Sequence, residues 1–98
     1  MKVKPKQKIL FYDGKPLVDE KGKPVLLRDA IVNSLNAIDP KKGSESLDKA
    51  RIFEISMKMY EDKEEVELSM EDRAFILERA KENLIPVVYG RLKEILEK

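Results

Sequence analysis

The stretch DGKPLVDEKGKPVLL, residues 13–27, contains Gly-Lys-Pro twice, eight residues apart. Asp13-Gly14 predicts a two-residue type I′ hairpin turn, because Asp and Gly tolerate the positive φ that this turn requires. Residues 19–22 predict a type I turn closed by Gly22 in the left-handed region. The eight-residue period matches one short strand plus one turn, so the stretch predicts a three-stranded antiparallel meander over about residues 9–27, with both glycines at positive φ.

A phosphate-binding loop is the competing interpretation of the two Gly-Lys pairs. Such a loop needs free backbone N–H groups that cradle phosphate, and a Ser or Thr hydroxyl directly after the lysine. Here Lys15 is followed by Pro16, and Lys23 by Pro24. Proline supplies neither an N–H nor a hydroxyl, so the pattern favours turns over phosphate binding.

After residue 27 the apolar residues recur with helical and not strand spacing. Four segments follow this pattern, and we expect helices at about residues 28–38, 47–61, 70–83 and 86–97. Strands first and helices later argue against a parallel α/β sheet. The predicted class is α+β and mostly helical, with a basic amino-terminal arm, residues 1–8, and one small domain, residues 9–98.

Local signals mark the ends of the later helices. Ser46 is a good N-cap for the second helix. Ser69 and Asp72 resemble a capping box at the start of the third, with Asp in place of the usual Glu or Gln. Pro86 suits the first position of the fourth helix. Gly90 lies in the interior of that helix, where we expect the close approach of another helix to explain it.

The 98-residue chain contains no Cys and no His. Disulfides, thiolate ligands, the commonest metal ligand and the usual proton-transfer residue near neutral pH are therefore excluded. Acidic pairs such as Asp19/Glu20 and Glu71/Asp72 lie in turns or at a helix start, where carboxylates serve capping and solubility. We expect a protein that is not an enzyme and that uses no metal and no cofactor.

Composition also bears on location. No run of about 18 apolar residues occurs, and no apolar segment with a cleavage site follows the basic residues 1–8. We therefore expect a cytoplasmic protein with no membrane partner. Fifteen lysines and twelve glutamates, with a single glutamine, fit a thermophilic source, although a low-GC genome gives a similar lysine bias.

Charge is divided unevenly between the two halves of the chain. Residues 1–43 carry a net charge of +5 and residues 44–98 a net charge of −4. The basic half suggests a nucleic-acid-binding regulator, because lysines that contact phosphates give salt-dependent affinity. The residues expected to make these contacts are Lys2, Lys4, Lys6, Lys8, Lys15 and Lys23.

A protein partner or self-association is the leading interpretation, ahead of nucleic-acid binding. In the second predicted helix, one stripe of helical spacing comprises Leu47, Ala50, Phe53, Met57 and Tyr60. Further apolar residues widen this stripe well beyond a narrow seam, so the helix is either central in the core or partly covered by another chain. The residues expected to contact a partner are Ile52, Ile55 and Met59 on this helix, Phe75 off the face of the third helix, and Tyr12.

The order of segments resembles a group of small phage and prophage proteins of uncharacterised function. The matching stretches are DGKPLVDEKGKPVLLRDAIVNSL, LDKARIFEISMKMY, EVELSMEDRAFILERA and IPVVYGRLKEIL. These are turn, capping and packing residues, so the resemblance brings no catalytic residue with it. Leu26 and Leu27 stand where a helix-capping Ser or Thr is expected, which leaves the start of the first helix open.

The resemblance implies a virus-associated origin, in the host cytoplasm or in the virion. With the missing catalytic chemistry, it favours a phage-derived interaction module that acts in virion assembly or in regulating a host or phage protein. The alternative is the small nucleic-acid-binding regulator described above.

Overall fold

A computed structural model describes residues 1–37 and 48–97. In chain order the elements are β1 (Lys2–Val3), α1 (Leu27–Asn36), α2 (Lys49–Met59), β2 (Val66–Glu67), α3 (Met70–Asn83) and α4 (Pro86–Leu96). The predicted α+β class, mostly helical with four helices, is confirmed. The antiparallel sheet pairs the amino-terminal β1 with β2, which lies between α2 and α3, whereas the sequence placed the pairing within residues 9–27. The predicted helix end at residue 38, the predicted helix start at residue 47 and the predicted cap Ser46 lie outside the described residues.

Residues 1–8 pack against the rest of the fold and do not form the solvated arm that the sequence suggested. β1 pairs antiparallel with β2, with Lys2 opposite Glu67 and Val3 opposite Val66. Val3 and Pro5 are buried, whereas the lysines between and beside them are exposed. This alternation is the strand period, and it explains why every second residue of the segment is a lysine.

The repeated stretch forms three isolated antiparallel bridges rather than a continuous meander. They join Lys8 to Leu26, Leu10 to Pro16 and Val18 to Pro24. Each Pro lacks the N–H that a longer ladder needs, so the pairing stops there.

Three backbone hydrogen bonds close this region into a ring. Ile9 N–H donates to the Val25 carbonyl, Val25 N–H to the Leu17 carbonyl, and Leu17 N–H to the Ile9 carbonyl, each at 2.8 Å. Ile9, Leu17 and Val25 are spaced eight positions apart, which is the period of the sequence repeat. The repeat therefore places three equivalent backbone segments around a common centre. Ile9 is fully buried there.

Both turns of the repeat have the same form. Gly14 N–H donates to the Phe11 carbonyl, and Gly22 N–H donates to the Asp19 carbonyl, each at 3.0 Å. The predicted positive φ of both glycines is confirmed, at 82° for Gly14 and 80° for Gly22. Asp13 does not have positive φ, so the predicted type I′ turn is wrong. The first turn is a three-residue loop closed by Gly14, in which Asp13 accepts a bond from the Lys15 amide through its side chain instead of supplying a left-handed residue.

The amino terminus of α1 is satisfied by backbone carbonyls from another segment. Leu27 N–H donates to the Gln7 carbonyl at 2.8 Å, and Arg28 N–H donates to the Pro5 carbonyl at 2.9 Å. Asp29 Oδ2 accepts from the Leu26 amide at 3.2 Å. The Arg28 amide, one of the two that a Ser or Thr cap can serve, therefore already has an acceptor, which explains why Leu26 is tolerated at this place.

The carboxyl terminus of α1 is satisfied by side chains of α3. Arg79 donates through Nη2 to the carbonyls of Leu35 and Ala37, and Asn83 Nδ2 donates to the Ser34 carbonyl at 3.1 Å. α1 packs against α2, α3 and α4. Its buried side chains lie at the centre of the core and are Leu27, Ala30, Ile31, Ser34 and Leu35.

The other helices start at local signals. Asp48 caps α2 by accepting from the Arg51 amide at 3.1 Å. The capping box of α3 is confirmed: Ser69 Oγ accepts from the Asp72 amide at 3.0 Å, and Asp72 Oδ2 accepts from the Ser69 amide at 3.2 Å. Pro86 occupies the first turn of α4, as predicted.

Gly90 is not a close-packing site, and the expected approach of another helix is wrong. A Cβ added at Gly90 would meet no described atom within 4 Å. The residue lies beside a groove of about 170 Å³ that Tyr12, Pro86 and Val87 also line.

The glycines predict opposite effects on stability. Gly22→Ala is expected to destabilise the fold by about 1–2 kcal/mol, because a side chain is strained at the left-handed φ of that turn. Gly90→Ala is expected to stabilise it by up to about 1 kcal/mol, because alanine is the better helix former and has free space there. Urea unfolding of the two variants and the wild type measures both changes. Shifts of the same sign would contradict the described backbone at one of these two positions.

Candidate functional site

Helix α2 carries two apolar faces, and the structure buries the one that was expected to meet a partner. Ile52, Ile55 and Met59 are only 6%, 3% and 1% exposed and belong to the core. They contribute to the contact of α2 with α1. The expectation that these three side chains lie open to another chain is therefore not met.

The opposite face of the same helix is exposed. Phe53 is 64% exposed, Met57 55% and Tyr60 48%, and Ala50 is also exposed. The sequence interpretation had grouped these side chains in one stripe and left open whether the helix is central in the core or partly covered by another chain. We call Ala50, Phe53, Met57 and Tyr60 the outer face of α2.

Polar contacts on the flanks of α2 fix which face turns inward. On one flank Arg51 Nη2 lies 3.5 Å from Asp72 Oδ1 of α3, and Lys58 Nζ donates to the Glu67 carbonyl of β2 at 3.2 Å. On the other flank Ser56 Oγ accepts from Asn36 Nδ2 of α1 at 3.2 Å. Both apolar stripes have helical spacing, so the apolar period alone cannot choose between them.

Tyr60 is the one member of the outer face that is tied to the rest of the fold. Its hydroxyl donates to Asp29 Oδ1 at 2.8 Å, and the Arg28 guanidinium lies 4.8 Å from the ring centroid. Partial burial and then the bond to Asp29 raise the pKa of Tyr60 above its usual value. The phenol therefore stays neutral at physiological pH and serves as a fixed edge of the outer face.

The two other residues expected to contact a partner lie apart from the outer face. Phe75 is half-buried, with the Arg51 guanidinium 5.0 Å from its ring centroid. Tyr12 is 69% exposed and packs edge-to-face on Phe11, with centroids 5.1 Å apart. Arg91 of α4 holds this turn by donating to the carbonyls of Leu10 and Phe11.

All six lysines proposed for nucleic-acid contact are exposed. Acidic residues from the carboxyl-terminal half lie against two of them. Lys6 Nζ is 2.6 Å from Asp62 Oδ1, and this bond lowers the pKa of Asp62. Lys2 pairs across the sheet with Glu67. The uneven charge of the sequence is therefore partly cancelled where the two halves meet, while Lys15 and Lys23 lie at the turns of the repeat.

The described residues bring no metal site together. No group of three or more acidic side chains among residues 1–37 and 48–97 could hold a metal ion. A groove of about 460 Å³ lies along α2 and is lined by Asp48, Ala50, Arg51, Glu54, Ile55, Lys58 and Asp72. Its charges are mixed, and Arg51 is already engaged with Asp72, so the lining does not select one charged ligand.

No helix in the described part of the chain is both long enough and apolar enough to span a bilayer. Comparisons with protein-family models, with curated proteins and with solved structures found no match.

The sequence expectation selected the side of α2 that the structure buries. The residues of the outer face, Phe53, Met57 and Tyr60, were all visible as a stripe. The signal that could have found them was the placement of Arg51, Ser56 and Lys58, which border the other stripe and need polar partners inside the fold.

A matched pair of methionines tests which face of α2 is buried. Met59→Ala is expected to destabilise the fold by about 2–5 kcal/mol, because it leaves a cavity in the core. Met57→Ala makes the same chemical change on the outer face and is expected to alter stability by less than about 0.5 kcal/mol. Chemical denaturation of both variants in dilute solution gives the comparison. A larger loss from Met57→Ala would mean that α2 is rotated relative to this description.

Proposed function

We propose that the protein is a non-enzymatic interaction module and that the outer face of α2 is its contact surface. The observation that carries the proposal is that a helix of 11 residues has apolar side chains on two opposite faces, of which the described fold covers one. A helix that is apolar on both sides is normally buried on both sides. Three large apolar side chains in one exposed row, Phe53, Met57 and Tyr60, therefore form a surface suited to another chain.

The chemistry of these side chains supports a protein partner. Aromatic residues and methionine are enriched in the buried centres of protein interfaces, and charged residues are depleted there. Met57 adapts its shape to a partner at low cost because its thioether chain is unbranched and flexible. Tyr60 is already held by Asp29, so little rotamer entropy is lost when a partner covers it.

The resemblance to small phage and prophage proteins supports a role in virion assembly or in regulating a host or phage protein. The absence of Cys and His from the whole sequence supports a binding role over catalysis. Neither argument names the partner, so the contact surface is the part of the proposal that can be tested directly.

The nucleic-acid-binding regulator remains the second candidate. The observation in its favour is that Lys2, Lys4, Lys6 and Lys8 are all exposed along one alternating segment. The ion pair of Lys6 with Asp62 weakens it, because a paired lysine attracts phosphate less strongly. Retention of a labelled oligonucleotide that falls steeply with salt and is lost on Lys4→Glu and Lys8→Glu would favour this candidate over the interaction module.

Site-specific photo-crosslinking tests the contact surface in the cell that encodes the protein. A benzophenone amino acid in place of Phe53 is expected to form an adduct of defined mass, either with another protein or with a second copy. The same probe in place of Asn33, an exposed residue of α1, is the control and is expected to form none.

Mass spectrometry of the adduct identifies the crosslinked chain. Equal labelling from the Phe53 and Asn33 positions, or no adduct from Phe53, would contradict the proposed surface.

A further inference from the structure

The outer face of α2 has the spacing of a helix-pairing seam. Its residues Ala50, Phe53, Met57 and Tyr60 are separated by three, four and three positions. This is the alternation of the a and d positions in a heptad, which keeps one narrow row of side chains facing a partner helix. The row lies opposite the buried face of Ile52, Ile55 and Met59, so the seam points away from the chain's own core.

The residues beside the seam carry opposite charges on its two sides. In heptad terms Lys49 and Ser56 occupy the g positions and Glu54 occupies the e position, whereas Glu61 lies beyond the end of α2 and pairs with Lys63 at 3.0 Å. Lys49 and Glu54 are exposed, and neither forms an ion pair with another described residue. Both are therefore free to pair with a second chain.

This arrangement of charge selects the partner and its direction. In a parallel pair of α2 helices, each g residue faces the e residue five positions later in the partner helix. Lys49 then faces Glu54 of the second copy, and Glu54 faces Lys49, so two opposite-charge pairs form by symmetry. In an antiparallel pair about a two-fold axis the e positions face one another, and Glu54 would oppose Glu54 of the second copy.

Building on the proposed function, we propose that the partner of α2 is a second copy of this chain, bound in parallel about a two-fold axis. The contact is isologous: Phe53 meets Phe53 and Met57 meets Met57 across the axis. A seam of four side chains is smaller than the roughly 800 Å² per partner of a standard stable interface. The association is therefore reversible and depends on protein concentration.

Sedimentation equilibrium of the full chain tests self-association between about 10 µM and about 1 mM, where interfaces of this strength populate both species. The wild-type mass is expected to rise from 11.4 kDa toward twice that value. Phe53→Lys is expected to remain a monomer with an unchanged circular dichroism spectrum. Val18→Lys, which replaces another exposed apolar residue, is the matched control and is expected to dimerise as the wild type does.

A wild type that stays monomeric over this range overturns the inference, and so does a Phe53→Lys variant that still dimerises. If the wild type is monomeric while the Phe53 probe is crosslinked to another protein, this inference fails and the proposed function stands. If the Phe53 probe also gives no adduct, both fail.

Reversal of one charge tests the direction of the helices. Glu54→Lys is expected to weaken the dimer about tenfold, because it places like charges at both symmetric pairs. The double variant Lys49→Glu with Glu54→Lys is expected to recover the wild-type affinity. A Glu54→Lys dimer as tight as the wild-type dimer would overturn the parallel arrangement, since in an antiparallel pair the change only exchanges one like-charge pair for another.

A single cysteine gives an independent reading of the same geometry. The chain contains no native Cys, so Met57→Cys introduces one thiol only. In the parallel dimer the two thiols face each other across the axis, and mild oxidation is expected to yield a disulfide-linked dimer. Val18→Cys is the control. Equal yields from the two variants would contradict the proposed seam.

Discussion

The free backbone groups at the two ends of α1 are the constraint on which the rest of this structure depends. A helix of ten residues is marginal in water, and this one has no Ser, Thr, Asp or Asn at its N-cap. Gln7 and Pro5 supply backbone carbonyls at its start, and Arg79 and Asn83 supply side-chain donors at its end. Helices α2, α3 and α4 all pack against α1, whose two ends are completed by other segments of the chain.

This constraint explains the form of the amino-terminal third. Residues 5–7 must lie along the start of α1, and the pairing of β1 with β2 holds the chain that leads to them. The ring of bonds among Ile9, Leu17 and Val25 then turns the chain twice and delivers Leu27 beside Gln7. The repeated Gly-Lys-Pro stretch thus returns the chain to the start of α1. The side chains of its lysines take no part in the ring of backbone hydrogen bonds.

The sequence predicted what is decided locally. α3 has the predicted bounds, 70–83, because the Ser69–Asp72 capping box marks its start within a few residues. The positive φ of Gly14 and Gly22 was predicted because it depends only on the turn in which each glycine lies. The packing of residues 1–8 was missed, since a backbone carbonyl that caps a distant helix leaves no side-chain signature. The two faces of α2 were exchanged for a similar reason: the contacts of Arg51 and Ser56 that orient the helix join it to residues far away in the chain.

The same division applies to the candidate site. The sequence shows Phe53, Met57 and Tyr60 as an apolar stripe of helical spacing. Only the fold shows that Ile52, Ile55 and Met59 are the side chains of α2 that lie in the core. Helix α2 thus has one face buried against its own chain and one exposed face, which is the surface that we propose for contact with a partner.

Amide hydrogen exchange at the start of α1 tests the central claim most directly. If backbone carbonyls of residues 5–7 complete this helix, the amides of Leu27 and Arg28 are expected to exchange as slowly as the core amide of Ile31. The reason is that all three amides then exchange only when the whole domain unfolds. The amide of Val87, at the second position of α4, has no hydrogen-bond acceptor among the described residues and serves as the internal reference for a freely exchanging first turn. Rates for Leu27 and Arg28 as fast as that of Val87 would contradict the account.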